Sequence, residues 1–252
     1  MKNRMLKGLW VLLSIFFWIG LWWLLAALFQ KPLLLPTPLA VLGTLWELMK
    51  TPLFWKTVLF SLSRILIGIA VALLAGAALA VLTVRFRMFH HLFSPLLTLF
   101  KATPVASIIF LILLWVGRDS VPLVIAFMMA LPIVWSNVRE GLLQSDKQLL
   151  EVTRVFGFSW HKKLFALYLP SLSPYFAAAC RSAIGIAWKA GIAAEVLCVP
   201  KDSIGRAIYE GKQYLLTNEL FAWTLTVLLI SVVIERGTLW LLAVKEKRKE
   251  SL

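Results

Sequence analysis

Apolar residues in this chain run in long blocks, and charges gather at the block edges. Gly8 to Phe29 contains 22 residues without a charge, enough for a helix to cross a bilayer's hydrocarbon core, which takes about 20. Further blocks run from about Thr57 to Val84, Leu96 to Gly117, Val121 to Val138, Leu172 to Val199 and Glu219 to Ile234. The pattern predicts an all-α integral membrane protein with six transmembrane helices. Of the 26 Lys and Arg, 15 then fall in inner segments, 7 in outer ones and 4 within spans. That bias places both termini in the cytoplasm of a multi-pass cell-membrane protein.

The blocks differ in kind. The first carries Trp10, Phe16, Phe17, Trp18, Trp22, Trp23 and Phe29, too bulky for the centre of a bundle, and is expected at the periphery against lipid. After it, the extended run Leu35-Pro36-Thr37-Pro38 leads into Leu39, Leu42, Leu45, Trp46 and Met49 at helical spacing, predicting an amphipathic helix on the outer membrane surface. In the second block Gly68, Ala72, Gly76 and Ala80 recur every four residues, a small-residue face that lets another helix approach closely. Arg64, near its outer end, is expected to snorkel to the interface. In the third, Lys101 snorkels to the cytoplasmic side and Pro104 makes a kink. Gly117 to Ser120 is a tight outer turn, Pro132 bends the fourth helix, and Pro200 to Asn218 is an outer, partly re-entrant segment. Residues 1–56 thus hold the first span and the outer helix, 57–244 the transmembrane core, and 245–252 a basic cytoplasmic tail.

The fifth block is the polar one. It is rich in Ala, Gly, Ser and Cys and carries Arg181, Lys189 and Glu195. Charges at mid-membrane depth are costly, so they face the bundle interior or water. Arg181 and Lys189 lie on one side with Gly185 between them. Glu195 follows Lys189 by six residues, roughly 240° around a helix, and is a poor partner for it within the helix. Lys189 either meets an anionic solute group in the path or pairs with Glu195 of a second copy or another buried group.

Composition narrows the class. The chain of 252 residues is 61% hydrophobic and 15% charged, with a mean hydropathy of +0.86, against roughly 25% charged in ordinary globular chains. A net charge of +14 belongs to the topology and implies no nucleic-acid partner, since no basic face is interleaved with stacking aromatics. Cys180 and Cys198 lie about 27 Å apart on one helix, beyond disulfide reach, and read as packed thiols. The first apolar run lacks a small-residue cleavage site and reads as a retained helix rather than a signal peptide. There is no GxxxxGK[ST] phosphate loop, no HExxH and no GxSxG, and His90, His91 and His161 fall on inner loops without metal-ligand spacing. No cofactor is expected in this chain. A passive channel or an intramembrane enzyme is the alternative class to a transporter subunit.

One polar segment, Glu151 to Pro170, interrupts the apolar blocks with helical spacing broken at Gly157. From Glu151 it runs five residues to Gly157, nine more, then Leu167-Tyr168-Leu169-Pro170. This resembles the EAA loop of ATP-binding-cassette (ABC) importer permeases, with Val152 and Thr153 in place of two alanines and Leu167 in place of isoleucine. Leu35-Pro36-Thr37-Pro38, Lys101-Ala102-Thr103-Pro104, Gly185-Ile186-Ala187-Trp188 and Ala193-Ala194-Glu195 are similar to the nitrate, sulfonate and taurine branch of those permeases.

The resemblance implies a type I (MetI-like) importer transmembrane domain that is not itself an enzyme. It implies two cytoplasmic ABC ATPase subunits holding ATP and Mg2+, a second permease subunit in a homodimer, an extracytoplasmic substrate-binding protein, and a small, anionic solute. The loop would dock on the ATPase, Glu151 offering its carboxylate to a basic group, Gly157 allowing the turn and Leu169 and Pro170 anchoring the exit to the fifth span.

Overall fold

The computed structural model describes residues 2–144, 156–159, 162 and 169–250, and among them the regular elements are all helices. In chain order these are α1 (Lys2–Phe29), α2 (Pro38–Met49), α3 (Pro52–Arg85), α4 (Arg87–Ala102), α5 (Val105–Leu113), α6 (Val121–Leu143), α7 (Leu169–Cys198), α8 (Ile204–Gln213) and α9 (Thr217–Glu250). By length and apolar composition, four described helices can cross a bilayer: α1, α3, α6 and α9. The bent pair α4 and α5 makes a fifth if counted as one span.

The expected six differ from this count at two places. The third block is not a kinked helix: α4 and α5 meet at 108°. Pro104 excludes the helical region for the residue before it, and Thr103 is extended at ψ 134°. Pro104 itself has ψ 127°, so two successive non-helical residues turn the chain where one proline would only bend it. The fifth block forms the single 30-residue helix α7, about 45 Å long. It has the length to span, but Arg181, Lys189 and Glu195 keep it out of the strongly apolar set. At the end of the chain, α9 continues through Glu235 and Arg236 to Glu250, so the inner boundary expected there is not a helix end.

The core sits around α6. Its apolar window is 61% buried against 6% for α1, which makes α6 the centre of the bundle and α1 its edge. Helices α3 and α7 both pack along α6 and touch each other. Gly68, Ala72, Gly76 and Ala80 are all buried on α3. A Cβ on Gly68 would overlap the Leu123 carbonyl oxygen, and one on Gly76 would lie 2.8 Å from Val134 Cβ. The two backbones therefore approach as closely as glycine allows. Trp135 Nε1 donates to Thr83 Oγ1 at 2.9 Å, tying the same two helices.

The periphery follows from side-chain bulk. Trp10, Phe16, Phe17, Trp18, Trp23 and Phe29 of α1 are exposed. Trp22 is held, its Nε1 donating to Pro36 O at 3.1 Å and its ring stacking on Phe221 at 6.0 Å. Helix α2 starts at Pro38 with Thr37 Oγ1 accepting from Ala40 N at 3.3 Å. It buries Val41 and Leu45 while Leu39, Leu42 and Trp46 stay outside.

Candidate functional site

Helix α7 forms because Ala-rich sequence with straight-chain residues favours helix. Its second residue is Pro170, where the missing N–H costs nothing. The helix presents its charges on different faces. Arg181 and Lys189 are exposed while Glu195 is fully buried. Arg181 Nε donates to Ala177 O at 3.4 Å. Lys189 makes no ion pair among the described residues. Arg181, Gly185, Trp188 and Lys189 of α7 face Ser231, Glu235 and Thr238 of α9 across a cavity of about 50 Å³. The structure thus brings Arg181 and Lys189 to one crevice and takes Glu195 away from it.

Glu195 lies where α3, α7 and α8 meet. Its Oε2 accepts from Ser61 Oγ at 2.7 Å and from Gly205 N at 3.1 Å. Ser61 Oγ in turn accepts from Ile204 N at 2.8 Å, and Ser203 Oγ accepts from Arg206 N at 3.1 Å. Ile204, Gly205 and Arg206 are the first three residues of α8. Their N–H groups have no helical partner of their own, and each is capped by a side chain from a different element. A carboxylate also suits the positive end of a helix. Gly205 permits the contact, since a Cβ there would overlap Glu195 itself. Glu195 Oε1 is buried without a hydrogen-bond partner among the described residues. In this arrangement Glu195 is held within its own chain, so pairing with Lys189 of another copy has no geometric support.

Ser61 was not singled out from the sequence, though a signal exists. It shares one helical face with Ile65, Gly68 and Ala72, and a hydroxyl on a packed apolar face requires a buried partner. Arg64, expected to snorkel, reaches the turns at Asp119 and Lys201 and ties them together. Its Nη2 donates to Lys201 O at 2.9 Å and lies 3.6 Å from Asp119 Oδ1, which accepts from Lys201 N at 2.9 Å. Lys56 Nζ lies 2.8 Å from Asp202 Oδ2, and its hydrogen bond holds that carboxyl below the usual carboxylate range.

Of the loop, Glu151, Val152, Thr153 and Leu167 lie outside the described residues. Gly157 has φ +60°, the left-handed region that favours glycine, with open space around it. Leu169 opens α7, and Pro170 follows it, exposed.

A bundle of long apolar helices packed around α6, with the charged, small-residue helix α7 against it, is the architecture of a multi-pass membrane protein. The chain belongs to the family described as binding-protein-dependent transport system inner membrane component, whose model matches residues 65–249, and it is a permease subunit of an ABC importer with the all-α type I (MetI-like) fold. Membership implies an ATPase and a substrate-binding protein as partners. The chain is similar to the putative aliphatic sulfonates transport permease protein SsuC of Bacillus subtilis, 28% identical over 190 residues, 75% of this chain and 68% of that one. It is similar also to the bicarbonate transport system permease protein CmpB of Synechococcus elongatus, 26% identical over 75% of this chain and 68% of that one. The taurine transport system permease protein TauC of Escherichia coli is 24% identical over 86% of this chain and 81% of its own.

Proposed function

We propose that this permease passes a small solute bearing an oxyanion group, of the sulfonate, bicarbonate or taurine kind, along the Arg181 and Lys189 face of α7. The observation that carries this is the pair of exposed cations on a helix otherwise built of small and apolar residues. A cation at mid-membrane depth costs at least about 2.5 to 3.5 kcal/mol on insertion scales, and Lys189 recovers none of it through an ion pair among the described residues. The names of two relatives, for sulfonates and bicarbonate, agree with an anion, and taurine in the name of a third is a zwitterion that carries a sulfonate group.

In this reading two copies of the chain assemble around one path, with both termini in the cytoplasm. Two cytoplasmic ABC ATPase subunits, with ATP and Mg2+ bound to them, grip the 151–170 loop of each copy. An extracytoplasmic binding protein delivers the solute to the outer face. Closure of the ATPase pair moves the loops as levers and exchanges outward for inward access. The test is uptake by the assembled transporter with Lys189→Met. Loss of at least tenfold in uptake with an intact complex is expected; unchanged uptake would refute the role of Lys189.

A further inference from the structure

The α7/α9 crevice has three properties beyond its two cations. Trp188 lines it and is only 1% exposed, yet its Nε1–H has no acceptor among the described residues. A buried donor left unpaired is unfavourable, and an arriving acceptor relieves that. Gly185 lines the same space, and a Cβ built there meets nothing within 4 Å. The crevice therefore has room on the α7 side. Finally, Arg181 and Lys189 face one carboxylate, Glu235, across it. The titratable lining sums to one net positive charge, the complement of a single negative one.

Size and donor chemistry narrow the ligand. About 50 Å³ holds a few water-sized groups, which suits a compact oxyanion head. The indole N–H is a neutral, directional donor and accepts nothing, so it selects for an acceptor oxygen. Ser231, at the far wall, adds a hydroxyl that turns to donate or accept.

We propose that this crevice is a subsite for one monovalent oxyanion, with Arg181 and Lys189 supplying charge, Trp188 Nε1–H the directional hydrogen bond, and Glu235 disfavouring dianions. The proposal rests on the reading that the Lys189 face is the solute path, and it adds Trp188 and Glu235 as specificity determinants. The full-length chain in lipid nanodiscs, labelled with 15N at its twelve indoles, tests it with methanesulfonate as probe. The resonance missing from Trp188→Phe should shift saturably with methanesulfonate and at least tenfold more weakly with sulfate. Gly185→Leu, which fills the space, and Lys189→Met should each weaken the response at least tenfold. The other indole resonances report that both variants are folded. A Trp188 resonance that stays still, or that shifts equally in those two variants, overturns the subsite. If it stays still while Lys189→Met still abolishes uptake, the path reading survives alone; if uptake is also intact, both are wrong.

Discussion

Glu195 is fully buried and has no ion pair among the described residues, yet its Oε2 takes two hydrogen bonds, one from a side chain and one from a helix N-terminus. Ser61 is the hinge of that arrangement, because its one hydroxyl donates to Glu195 and accepts from Ile204 N. Ser61→Ala removes both contacts and leaves a buried amide unpaired. We expect a loss of about 1–3 kcal/mol, read as a lower unfolding midpoint in detergent. Ser63→Ala is the control: that hydroxyl is exposed and bonds only to Phe60 O within its own helix. Equal midpoints for the two variants would remove the cap from the account.

At the scale of elements, the close seam between α3 and α6 sets the bundle. Gly76→Leu forces a branched side chain against Val134, 2.8 Å from where a Cβ would sit. Overpacking of this kind typically costs about 1–3 kcal/mol. The same change at Gly20, where a Cβ meets nothing within 4 Å, should be close to neutral, and both are measured by denaturant titration in detergent. The small-residue face was legible in the sequence because close approach leaves only glycine and alanine at four-residue spacing. That α2 is a helix was legible from its start at Thr37-Pro38 and its helical apolar period. The sharp turn at Thr103 and Pro104 was not, because the sequence is apolar on both sides and a single proline fits a mild kink as well as a break. Nor was the partner of Glu195, since Ser61 is 134 residues away and its signal is one hydroxyl on an apolar face. Arg181 and Lys189 could be put on one face by counting, but the opposing Glu235 and the unpaired Trp188 N–H needed the third dimension.

At the scale of the whole molecule, this chain is a permease subunit, and the proposal is that its ATPase partner supplies the energy. The family assignment covers residues 65–249, which takes in the bundle from the middle of α3 to the last turn of α9 along with the 151–170 segment. Gly157 is the described residue of that segment whose backbone constrains its role. At φ +60° a β-branched residue is strained, so Gly157→Val should distort the turn without touching the membrane core. Glu151→Ala removes the carboxylate that the proposal pairs with the ATPase. Both proteins are expected to insert and assemble.

The most direct measurement is therefore solute uptake and ATP hydrolysis together, in proteoliposomes holding the permease with its own ATPase and binding protein. The account predicts that Glu151→Ala and Gly157→Val continue to hydrolyse ATP while uptake falls at least tenfold. Wild-type uptake in both variants, at the wild-type ratio of solute moved to ATP consumed, would contradict it.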